Sequence, residues 1–138
     1  MRRKRHSSAG DRRGGAAVEF ALCAPVLLLI IGGIVEWGWY FSLQVLVEGA
    51  ARDGARTGST AETGANHADI AEKRTRSALD GAGFDGDAAT VNATLSEDAT
   101  LGADVLQVEV ELPHEQLVAL FPVLEEHSAN AVMYVVNP

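Results

Sequence analysis

The sequence predicts an α+β protein: a long N-terminal transmembrane helix that continues into a small extracytoplasmic domain with a second helix and about three antiparallel strands. Three observations lead there. A basic head runs into sixteen consecutive uncharged residues, 20–35. Small and apolar residues at helical spacing carry the helix on to about residue 58. After residue 88 the apolar period changes from helical to alternating.

The basic head sets the orientation. Residues 1–13 hold six basic side chains and one acid, a net charge of +5, and the remaining 125 residues carry −13. Arginine and lysine beside an apolar helix stay in the cytoplasm, so the N-terminus is expected inside and the C-terminus outside. An acidic body repels phosphate, which argues against nucleic acid as a partner.

The apolar stretch reads as the membrane span. Glu19 and Glu36 bracket it, and the seventeen residue steps from one to the other cover about 25 Å at roughly 1.5 Å per residue. The hydrocarbon core is about 30 Å thick. The span closes the gap if Ala16, Ala17 and Val18 join it and Glu36, Trp37, Trp39 and Tyr40 mark the outer interface, where aromatic rings are enriched. Pro25 removes one backbone donor and is expected to loosen the helix locally. A cleaved secretory signal would need a small-x-small site after the apolar run, whereas Glu36-Trp37-Gly38-Trp39-Tyr40-Phe41 is bulky. Cys23, the only cysteine, lies within the span and follows Leu22, which argues against a lipoprotein site and excludes disulfide staples.

Beyond the span the helix is expected to continue. Gln44, Glu48, Arg52 and Arg56 recur every fourth residue on one face. Ala50, Ala51, Gly54, Ala55 and Gly58 supply small residues four apart, the pattern that lets another helix approach closely. Residues 58–64 read as a helix end and linker, 66–79 as a weakly apolar second helix, and 80–87 as a glycine- and aspartate-rich loop. Val91, Ala93 and Leu95 alternate with polar residues, as do Leu106, Val108, Val110 and Leu112, so two strands with a hairpin across 97–104 are expected. Pro113 ends the second strand, residues 115–121 suit a short helical turn, and 129–136 suit a last strand. The organisation that follows is a cytoplasmic leader (1–14), a transmembrane helix (15–40), a helix extension (41–58) and an acidic α+β domain (59–138).

No enzyme chemistry emerges, and no cofactor is expected. The stretch Gly81-Ala82-Gly83-Phe84-Asp85-Gly86 follows a helix rather than a strand and is surrounded by aspartates, which suits no dinucleotide. Asp80, Asp85 and Asp87 lack the ligand spacing of a calcium loop, although a cation-binding module remains an alternative. His6, His67, His114 and His127 lack metal-ligand spacing.

Glu19 demands an account, because a carboxylate at the edge of an apolar helix is costly and usually pairs or does work. Its place near the helix start, where the dipole favours an acid, explains tolerance alone. The sharper reading is a cut after Gly14 that makes Gly15 the new N-terminus and Glu19 the fifth residue. The new amine and the carboxylate then neutralise each other, within one chain or between neighbours, and hold assembling helices in register.

Gly14-Gly15-Ala16-Ala17-Val18-Glu19-Phe20 resembles the processing site of the TadE-like pseudopilins of the tight-adherence (Flp-type) pilus system. Gly33-Ile34-Val35-Glu36-Trp37-Gly38 and Ala50-Ala51-Arg52-Asp53-Gly54-Ala55-Arg56 resemble that family's other characteristic stretch. The resemblance implies one membrane helix, cleavage by a prepilin peptidase after Gly14, Glu19 as the assembly carboxylate, and a non-catalytic role as a minor pilin. Its implied partners are membrane lipid, the prepilin peptidase, other pilins and pilus assembly proteins. The alternative from another class is an uncleaved single-pass scaffold of a secretion or pilus assembly complex.

Overall fold

A computed structural model describes residues 9–62, 64–99, 102–117 and 124–135, with side chains from Gly14 onward. Helix α1 spans Ala9–Ser59 and α2 spans His67–Gly81; strands β1 (Thr90–Asp98), β2 (Ala103–Pro113) and β3 (Glu126–Tyr134) follow. The strands form one antiparallel sheet in the order β1-β2-β3. This is the α+β layout expected.

Helix α1 runs unbroken for 51 residues through Pro25, about 76 Å at 1.5 Å per residue. It lives in two environments. From Gly14 to Val35 it packs against no other element among the described residues, and its second half forms the spine of the folded domain. Val47, Ala50, Ala51 and Ala55 are almost fully buried there with Leu79 of α2, Val91 of β1 and Leu106, Val108 and Val110 of β2. Burial of such side chains at about 25 cal/mol per Å² of apolar surface is the main force holding the domain to the helix.

The small residues decide how close α2 comes. A Cβ on Gly54 would overlap the Thr75 hydroxyl and lie 2.8 Å from the Ala71 carbonyl oxygen. A Cβ on Gly58 would lie 2.5 Å from a Leu106 methyl and 2.7 Å from the His67 carbonyl oxygen. The helix that this small-residue face receives is the chain's own α2. His67 reinforces the junction, since its Nδ1 lies 2.7 Å from the Gly58 carbonyl at the end of α1. Asn66 caps α2 by accepting the Asp69 N–H at 3.3 Å. The Arg74–Asp53 ion pair at 2.7 Å also joins the helices, but half-exposed pairs contribute about 0–1 kcal/mol.

The strands follow the alternating pattern closely. In β2, Leu106, Val108, Val110 and Leu112 are buried, while Glu109 and Glu111 face solvent. Strand β1 obeys it only at its start: Val91 is buried, but Leu95 is 47% exposed. Leu95 lies beyond the point where α2 reaches this edge strand, through Glu72 accepting the Ala93 N–H at 3.1 Å. Strand β3 begins at Glu126, three residues before the expected start, because His127 is a buried core residue paired opposite Leu112. No helical turn forms at 115–117, and the rest of the turn expected at 115–121 lies outside the described residues, as does Val136.

The two classes of glycine in α1 predict opposite effects. Gly54→Ala is expected to destabilise the domain by about 1–3 kcal/mol through overpacking. Gly49→Ala, where a Cβ meets nothing within 4 Å, is expected to stabilise it by up to about 1 kcal/mol through helix propensity. Denaturant unfolding of the full chain in micelles separates the two, and equal effects would refute the close approach of α2.

Candidate functional site

Two regions carry functional character, one at each end of the bare half of α1. At its start, Gly14 and Gly15 sit in the helix with open space where side chains would be. Two successive glycines, each weakening a helix by about 1 kcal/mol relative to alanine, lower the stability of this turn. Glu19 is exposed one turn later and has no hydrogen-bond or ion-pair partner among the described residues. Position 19 is four residues after Gly15, so an amine created at Gly15 would share a helix face with the carboxylate.

From there to residue 35 the helix is an apolar rod. Phe20, Leu22, Leu28 and Ile34 are each about two-thirds exposed or more. Among the described residues this is the one helix long and apolar enough to cross a membrane, and its most apolar window is wholly unburied. Cys23 lies exposed on the rod as a free thiol.

At the outer end, α1 meets the domain through a buried polar cluster. The expected interface residues divide into two sets. Trp37 and Trp39 remain exposed, at 41% and 36%, and Trp37 packs against Phe41 with ring centroids 5.7 Å apart. Glu36 and Tyr40, expected at the lipid headgroups, are enclosed by protein instead. The reason is their helical phase: positions 36, 40, 43, 47, 51, 54 and 58 form one stripe, and the folded domain covers that stripe down to Glu36.

The cluster closes around two histidines from the far end of the chain. Glu36 Oε1 accepts the Leu117 N–H at 3.1 Å and lies 3.7 Å from His114 Nε2. His114 Nδ1 lies 2.8 Å from His127 Nε2, so one ring donates and the other accepts. Tyr40 packs on both rings, with centroids 5.3 Å and 4.5 Å away. Burial pushes the His127 pKa below its ordinary value of 6.5, and the neighbouring His114 pushes it the same way. One turn further along, Gln44 Nε2 donates to the Ser128 carbonyl at 2.7 Å and ties α1 to β3.

Sequence reasoning set these histidines aside because they lack metal spacing, and it did not pair them with Glu36. The available signal was the core stripe of α1, which extends back through Tyr40 to Glu36 and places both inside. The aspartates of the 80–87 loop serve that loop: Asp80 accepts the Gly86 N–H at 2.8 Å and Asp85 the Asp87 N–H at 3.0 Å. Among the described residues no group of three or more His, Cys, Asp or Glu could hold a metal ion.

Taken together, these features define a class: among the described residues, a protein with one N-terminal apolar helix of membrane-spanning length, whose C-terminal extension forms part of the core of a small α+β domain. Within that class, residues 14–56 match the family described as TadE-like protein. The match begins at Gly14, takes in Glu19 and Glu36, and ends just before the last turn of α1. No curated protein and no solved structure matches the chain.

The histidine pair gives the domain a directional pH response. His127 has a folded-state pKa below its unfolded one, so its contribution is full above about pH 6.5 and is lost as pH falls through the depressed value. Unfolding free energy is expected to fall from about pH 7 to pH 5, and His127→Gln is expected to flatten that slope. The slope, measured by denaturant melts across this range, is the readout; an unchanged slope in the variant would contradict the assignment.

Proposed function

We propose that the chain is a TadE-like pseudopilin, a minor structural or assembly component of a tight-adherence (Flp-type) pilus. It is stored in the cytoplasmic membrane with its N-terminus inside and its domain outside. A prepilin peptidase cuts it after Gly14. The observation that carries this reading is the position of the family match: it starts at Gly14 and covers the bare apolar rod with Glu19. Its role is one of assembly rather than catalysis.

The geometry supports that reading physically. A rod with apolar side chains on all sides is stable in lipid, and equally stable packed among other apolar helices, so it can pass from one setting to the other. The charge at Glu19 gives the transfer a register, because in low dielectric it is neutralised best by an amine from a cleaved chain. The domain's own small-residue face is filled by α2, so contacts with other pilins fall to the rod and to the domain's outer surface.

Replacement of Glu19 tests the reading. In cells that assemble the pilus, Glu19→Gln is expected to leave the chain in the membrane and to remove it from sheared surface filaments. Undiminished incorporation of the variant would contradict the assembly role of Glu19, and absence of the unsubstituted chain from the filaments would favour the uncleaved single-pass scaffold.

A further inference from the structure

We propose that the membrane-facing end of the folded domain is itself a lipid-binding surface, in which Leu117 and Leu124 enter the outer leaflet beside α1. The inference rests on α1 crossing a membrane and is independent of any role in a pilus.

Both leucines are held at the level where the apolar rod ends. The Leu117 N–H donates to Glu36, the first charged residue after the sixteen-residue uncharged run. Leu124 lines the same cleft as Tyr40, one turn further along. The neck of the connection is closed by the His114 N–H donating to the Glu125 carbonyl at 2.9 Å. Leu117 and Leu124 are nevertheless 57% and 64% exposed. On the same turn of α1, Trp37 and Phe41 are exposed as well.

Continuity with the membrane span identifies the occupant. The run between Glu19 and Glu36 covers about 25 Å of a hydrocarbon core about 30 Å thick. The bilayer therefore reaches to or past Glu36, and that carboxylate would be exposed to it without a cover. Protein encloses Glu36 completely, and Leu117, whose N–H meets that carboxylate, keeps its own side chain exposed. Exposed apolar side chains at this depth gain free energy on leaving water for lipid. Glu115, Glu125 and Glu126 are exposed nearby and suit zwitterionic better than anionic headgroups.

The test uses the full chain carrying Cys23→Ser, reconstituted in phosphatidylcholine vesicles, with single cysteines introduced by Leu117→Cys, Leu124→Cys, Thr94→Cys or Leu27→Cys and labelled with an environment-sensitive fluorophore. At 117 and 124 the expected result is blue-shifted emission, quenching by a nitroxide carried near the lipid glycerol, and little quenching by aqueous iodide. At Thr94, on the exposed face of β1, iodide alone should quench. The label at Leu27 reports whether α1 is inserted, so failure of the span is distinguished from failure of this proposal. Iodide quenching at 117 and 124 equal to that at Thr94, with Leu27 in lipid, would overturn it. Protection of 117 and 124 that disappears on dilution of protein in lipid would also overturn it, by assigning the surface to a second copy of the chain.

Discussion

Two positions without side chains, Gly54 and Gly58, govern how the domain is hung on its helix. They let the Ala71 and His67 carbonyls of α2 come within reach of the α1 backbone. Everything beyond follows from that approach. With α2 seated there, Leu79 and Ala71 join Val47, Ala51 and Ala55 in one core, and the three-stranded sheet closes over it. A domain of this size has little apolar surface to bury, so backbone contact between helices compensates for the missing bulk. The disulfides that small domains often use are absent, since the only cysteine lies on the rod.

The same helix therefore does two unlike things, and the change occurs within one turn. Up to Val35 its side chains face outward on every side; from Glu36 one stripe is enclosed while Trp37 and Phe41 stay outside. The change coincides with a buried polar cluster rather than an apolar seal. A carboxylate costs much to bury unless its hydrogen-bonding capacity is met, and Glu36 is met by the Leu117 backbone with His114 close by. That arrangement fixes the angle between domain and rod. Polar contacts have directional requirements that leucine packing lacks, so a junction built on them specifies one orientation.

Much of this was legible in the sequence, for identifiable reasons. Strand β2 was legible because Leu106, Val108, Val110 and Leu112 alternate with acids, a pattern that only a half-buried strand satisfies. The reach of α1 was legible because the period of its small residues continues to Gly58. Other features were not. The spacing of Ala50, Gly54 and Gly58 says that a backbone approaches closely, but it does not say whose, and the answer is α2. The start of β3 was obscured because Glu126-His127-Ser128 has no apolar alternation. Contacts of Glu36 lie 81 residues away in sequence, where no local period can indicate them. At the start of the rod, Gly14, Gly15 and Glu19 stand out in the sequence as a motif, and the fold makes no contact with them that would give them a structural meaning.

The account's central claim is that the chain is made as a precursor and matures at the start of its bare rod. The most direct test is the N-terminal residue of the chain recovered from its native membrane, by intact mass and N-terminal peptide mapping. A mature chain that begins at Gly15 is the result the account predicts, with Glu19 then fifth from a free amine. A chain that retains Arg12 and Arg13 would contradict it and would make the protein an uncleaved membrane scaffold.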